Sequence, residues 1–205
     1  MRSVACALVV AIAVASQAVG AEGQANTGKP AQAGAKPETA PAASRRLPGG
    51  GSVIVFDTAK GAFEVETFPN EAPKTVALVL ELVKRNYYNG LRVHRYEPGM
   101  LVQFGDPQTR DMTKKADWGL RGSGNPVGVS EVSPKRPHRI GAVGAAWARD
   151  PRSFDGQIYV VTSAQPQLNS RYTVWGQVIS GMDVVEKLRV PDVIKRASVK
   201  QSAAK

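Results

Sequence analysis

The sequence predicts a mainly β domain, a closed antiparallel barrel capped by helices. Short runs rich in β-branched and aromatic residues recur from Ser52 onward. Gly, Pro and Asn turn chemistry separates them, and only two stretches carry helical periodicity. A chain of 205 residues with 42% hydrophobic content is long enough for one well-formed core, and no internal repeat is visible.

At the start of the chain Arg2 precedes the apolar run VACALVVAIAVA, and small and polar residues follow. This is the layout of a secretory signal peptide over residues 1–21, with Ala21 last before cleavage. The run is short for a membrane span, so export, periplasmic or secreted, is expected with no stable membrane insertion after cleavage. The single cysteine, Cys6, lies inside this segment, so the mature chain would have neither disulfides nor thiol chemistry. Residues 22–50 are rich in Ala, Pro, Gly and Lys and lack large apolar runs, which predicts a disordered tether. The GGGS at its end has no Gly-Lys-Ser to complete a phosphate loop and is read as a linker.

The domain is expected over 51–190. SVIVFDT and GAFEVET, separated by Ala59, Lys60 and Gly61, form a β-hairpin signature. NEAPKTVALVLELVKRN then places Val76, Val79, Leu80 and Val83 at helical spacing, with Pro73 in the first turn and Lys84 and Arg85 at the other end. The turn Tyr87 to Gly90 closes it. LRVHR, MLVQFG, RIGAVGAA, QIYVVTS and YTVWGQVI are the remaining strand candidates, and MDVVEKL is the second helix. Residues 191–205 are taken as a basic C-terminal tail.

The formal charge of +10 would ordinarily suggest nucleic acid or an anionic surface. More than half of the excess lies outside the body, however, with +1 from Arg2, +2 from 22–50 and +3 after Val190. There is no arginine-rich run or basic helix, so no nucleic-acid partner is expected.

The stretch VHRYEPGMLVQFGDP carries an arginine and a glutamine where a core would be expected. Arg95 and Gln103 either sit on a solvated face or line a site. Alternation puts Leu101 with Gln103, and Gln157 with Tyr159. Met100 then points away from Leu101, unless Gly99 starts a bulge or the strand begins later. His94 should face away from Arg95 and make a structural hydrogen bond. His94 and His138 are the only histidines, with no cysteine or carboxylate at ligand spacing, so no metal site is expected. Trp147 and Trp175 are read as packing residues.

The hairpin, EAPKTV, YYNGLRVHRYEPGMLVQFGDP and GQIYVVTSAQPQLNSRYTVWGQVISGMDVVEKL occur in an order that resembles the cyclophilin-type peptidyl-prolyl cis-trans isomerases, especially shorter bacterial ones. The resemblance runs from about Ser52 to Leu188. It implies an eight-stranded barrel with a helix at each end and a proline-binding groove outside it. It places the family's catalytic arginine at Arg95 and groove glutamines at Gln103 and Gln157. The proline pocket falls on Met100, Leu101, Tyr159 and Leu168, with Ala146 and Tyr172 farther along the groove. Met100 stands where phenylalanine is usual, Phe104 and Ile158 depart from the family motifs, Gln167 replaces an aromatic, and Tyr159 adds a hydroxyl that must find a partner or face water.

That resemblance implies a monomeric isomerase that assists folding of exported proteins and acts on proline-containing unfolded or flexible polypeptides. No cofactor is required, because amide rotation makes and breaks no bond. Its barrier of ~18–20 kcal/mol comes from resonance, and a fixed guanidinium can stabilise the twisted state, where the prolyl nitrogen becomes an acceptor. Arg95 is the expected donor, with Gln103 positioning it or the peptide and Gln157 holding the substrate backbone. A catalytically weak proline-peptide-binding holdase is the alternative. An envelope protein that uses its tether and tail for contacts is a third.

Overall fold

The computed structural model describes residues 50–200. The signal-peptide reading and, apart from Gly50, the tether reading lie outside these residues, as do 201–205.

The predicted hairpin forms from β1 (Val53–Thr58) and β2 (Gly61–Thr67), paired antiparallel. Thr58 spans its turn: the hydroxyl donates to the Gly61 carbonyl at 2.7 Å and accepts from the Lys60 N–H at 3.0 Å. Helix α1 (Pro73–Lys84) follows, with proline in its first turn. Its orphan donors are capped from a distance, as Lys74 and Thr75 N–H donate to the two carboxylate oxygens of Glu131 at 3.0 and 2.8 Å. Its buried face is Thr75, Val76, Val79, Leu82 and Val83. The stripe centres on Val79, which leaves the expected Leu80 at its margin, only partly buried.

The remaining elements are β3 (Arg95–Glu97), β4 (Leu101–Phe104), β5 (Ala142–Ala145), β6 (Ile158–Val161), β7 (Val174–Ser180), α2 (Met182–Lys187) and β8 (Ile194–Val199). Two expectations are corrected. The candidate LRVHR becomes a strand only at its last residue, because Leu91 to His94 meet the neighbouring chain through one isolated bridge, Arg92 to Val193. The domain also extends beyond residue 190, because β8 pairs along β1 within the segment taken as a tail. Ile194 and Ala197 enter the core while Lys195 and Arg196 stay in water, so the basic residues concealed a half-buried strand.

All eight strands form one antiparallel sheet in the order β3-β4-β6-β5-β7-β2-β1-β8. The barrel is capped by two helices as expected, but its seam is narrower than full closure. The end strands β3 and β8 do not pair; the segment before β3 meets the start of β8 through the Arg92–Val193 bridge and its neighbours, Gly90 N–H to Ile194 C=O at 2.8 Å and Val93 N–H to Asp192 C=O at 2.9 Å. The interior is packed by Ile54, Phe56, Phe63, Val102, Phe104 and Trp175, among others. Phe56 stacks on Phe63 at 5.1 Å and meets Tyr88 and Phe104 edge-on. A second apolar cluster, with Phe68, Leu101, Tyr159, Val161, Leu168 and Val174, covers the other face of the sheet.

Candidate active site

Residues paired directly across a sheet project from the same face. The registers of β3, β4, β6, β5 and β7 align Arg95, Gln103, Tyr159, Gly144 and Val174 in one row. Alternation sends Val102, Phe104, Ile158 and Val160 into the barrel and this row to its outer surface. Arg95 and Gln103 thus lie on the outer face, beside an apolar cluster, with Arg95 exposed.

Met100 joins that cluster because β4 begins one residue later. Pro98 and Gly99, the latter at φ +65°, turn the chain, and Met100 N–H donates to the Glu97 carbonyl at 3.0 Å. The Gly99 carbonyl is held by the Ser163 hydroxyl at 2.5 Å and the Gln165 amide at 3.3 Å. A short 3-10 helix, Pro166–Leu168, supplies Leu168. Tyr172 stacks on Trp147 at 4.8 Å and stands edge-on to Tyr159 at 6.0 Å. Met100, Leu101, Ala146, Tyr159, Leu168 and Tyr172 therefore meet in one cluster.

The polar residues are arranged differently from expectation. Arg95 is half exposed, and its Nε donates to Glu97 Oε1 at 3.3 Å, while its terminal amino groups have no partner among the described residues. Gln103 does not bond Arg95; its amide donates to Gln157 Oε1 at 2.9 Å. Gln157 in turn donates to the carbonyls of Gly119 and Arg121 at 2.9 and 2.8 Å. The amino end of Gln157 thus holds a loop while its carbonyl end accepts from Gln103, and the Gln103 carbonyl keeps its acceptor capacity. The same loop is fixed by Asp106, whose Oδ2 accepts from Gly119 and Arg121 N–H at 2.6 and 3.1 Å. Asp155 accepts from the Ser123 hydroxyl and from Gly124 and Asn125 N–H. A cavity of about 340 Å³ opens between this loop, Gln103, Gln157 and Trp147.

Tyr159 lies across Gly144, where a Cβ would run into its ring. Its hydroxyl meets His138 Nε2 at 2.8 Å, and His138 Nδ1 lies 3.1 Å from Asn169 Oδ1. Burial lowers the His138 pKa against the opposing pull of Asn169. Burial likewise pushes His94 down to about 4, with Asp106 and Gln157 acting in the other direction. His94 packs against Gly119, and its two buried ring nitrogens have no hydrogen-bond partner among the described residues, so the expected structural hydrogen bond is not made. Among the described residues no group of three or more His, Cys, Asp or Glu side chains is placed to hold a metal ion.

Sequence reasoning passed over Glu97, Gly144 and Asn169, and weighed His138 only as a metal ligand. Glu97 was within reach, since residues two apart on a strand share a face. The contact of His138 with Tyr159 depends on a loop path that periodicity does not describe.

Residues 53–203 match the family model described as cyclophilin type peptidyl-prolyl cis-trans isomerase/CLD. The chain is 36% identical over 152 residues to a probable peptidyl-prolyl cis-trans isomerase of Brucella abortus, covering 73% of this chain and 77% of that one. It is 30% identical over 135 residues to the human peptidyl-prolyl cis-trans isomerase-like 3, covering 66% and 80%. Among solved structures, a Cryptosporidium parvum cyclophilin superposes with a TM-score of 0.65 at 23% identity over 74% of this chain and 99% of that chain. That protein has also been solved in the presence of the dipeptide Ala-Pro.

Proposed function

Since the chain belongs to the cyclophilin-type peptidyl-prolyl cis-trans isomerase family and is an isomerase of that class, we propose that it turns X-Pro bonds in the outer groove with Arg95 as the donor. The row in which Arg95 and Gln103 stand beside Tyr159 on one face carries this reading. In this reading the proline ring sits on the apolar cluster of Met100, Leu101, Tyr159 and Leu168, with its nitrogen turned toward Arg95. In the planar ground state that nitrogen is conjugated and a poor acceptor; in the twisted state its lone pair is free. The unpartnered guanidinium N–H groups of Arg95 then gain an acceptor that the ground state lacked, which is differential stabilisation of the transition state. Glu97 fixes the guanidinium through Nε and leaves its outer edge available. Gln103 accepts from the peptide backbone, and Gln157 acts through the loop it holds.

Ala-Pro in the related Cryptosporidium structure supports prolyl peptides as ligands here. The N-terminal apolar segment supports action on exported chains, periplasmic or secreted, whose folding waits on proline isomerisation.

Arg95→Lys tests the donor. Lysine keeps the charge but lacks the planar fork, so kcat/KM for a prolyl tetrapeptide should fall several-fold with the peptide still bound. An unchanged rate would mean that charge alone suffices or that Arg95 is not the donor. Binding by the wild-type chain without acceleration would favour the holdase.

A further inference from the structure

The apolar pocket has a polar backing whose geometry assigns a direction to each hydrogen bond. Asn169 Oδ1 accepts from the His138 backbone N–H at 2.7 Å, so the oxygen of that amide faces the histidine. The Nδ1 contact at 3.1 Å to the same oxygen must therefore be Nδ1–H donating. In a neutral imidazole Nε2 is then the acceptor, and the Tyr159 hydroxyl at 2.8 Å donates to it. His138 is 2% exposed and Tyr159 3% exposed, so these bonds lie away from bulk solvent.

This backing touches three walls of the pocket. Tyr159 is the floor. Leu168 lies on the short helix between Gln165, whose N–H donates to the His138 carbonyl at 2.8 Å, and Asn169. Met100 follows Gly99, whose carbonyl the Gln165 side chain holds.

We infer that His138 is a positioning residue for prolyl binding, orienting the Tyr159 ring by accepting its hydroxyl while donating to Asn169. The inference rests on the groove being the prolyl site. The Tyr159 ring contacts the proline in ground and transition states alike, so loss of its orientation weakens binding and leaves the chemical step intact. Phenylalanine at position 138 would leave a buried hydroxyl without a partner, and the ring relieves that by leaving its plane over Gly144. Phenylalanine at both positions removes the hydroxyl and the need for a partner together.

The experiment uses the full chain and the blocked tetrapeptide Ala-Ala-Pro-Phe, with Kd and exchange rate read by NMR. His138→Phe should raise Kd at least about fivefold with kcat within about twofold, and His138→Phe/Tyr159→Phe should bind more tightly than His138→Phe alone. Unchanged Kd in the single variant, or a double variant no better than it, would overturn the inference. Should His138→Phe fail to fold, imidazole ¹⁵N shifts of the wild-type chain decide. The Nδ1–H tautomer with Nε2 accepting supports the assignment, and the Nε2–H tautomer overturns it. A wild-type chain that does not bind the tetrapeptide would overturn the underlying groove reading instead.

Discussion

Arg95 and Gln103 are direct partners across β3 and β4 and project from the same face, yet each bonds elsewhere, Arg95 to Glu97 and Gln103 to Gln157. The two side chains thus stand beside each other on one face with different partners, and under the proposed mechanism they serve as donor and acceptor. Their anchors differ as well: Glu97 is half exposed, whereas Gln157 is tied to two loop carbonyls.

The Glu97 contact orients Arg95 more than it stabilises the fold. Exposed ion pairs contribute about 0–1 kcal/mol, so Glu97→Ala should shift the urea midpoint little while lowering kcat/KM several-fold. Unaltered kcat/KM in that variant would show that Arg95 needs no anchor.

Gly144→Ala tests the close approach beneath the pocket. Its new Cβ would enter the Tyr159 ring, which is buried and cannot yield without disturbing His138 or Tyr172. Overpacking of this kind costs about 1–3 kcal/mol, so both stability to urea and tetrapeptide affinity should drop. Wild-type affinity in a stably folded variant would argue against Tyr159 as the floor.

The eight-strand barrel was legible because turn residues separate its strands and the motifs occur in order; Met100, Leu101, Ala146, Tyr159, Leu168 and Tyr172 share one apolar cluster. β8 was hidden because two of its residues are basic and exposed, which made IKRASV look like solvated tail. The Met100 ambiguity needed the turn at Gly99, since alternation holds only inside a strand. The resemblance gives Gln157 to the peptide backbone, whereas its amide donates to a loop that lies 36 to 38 residues away in the chain.

Acid should destabilise the fold through its two histidines. Both are held below the ordinary value of 6.5 by burial, so between the folded and unfolded pKa values the unfolded chain binds more protons. Stability is therefore full above about pH 6.5 and falls as the pH drops toward 4. The lowering of His94 from 6.5 to about 4 corresponds to a loss of up to about 3 kcal/mol. Urea unfolding from pH 7.5 to 4 should show this decline, and NMR should find His94 neutral at pH 5.5. A His94 that titrates near 6.5 would contradict its burial beneath the Gly119 loop.

The most direct test of the arginine mechanism compares the full chain with its Arg95→Ala variant, reading isomerisation of blocked Ala-Ala-Pro-Phe by exchange NMR and Kd by titration. A donor that acts in the twisted state predicts clear acceleration by the wild-type chain and a loss of at least about tenfold in kcat/KM, about 1.4 kcal/mol, with Kd changed by less than about threefold. An Arg95→Ala variant that isomerises the peptide at the wild-type rate would contradict it.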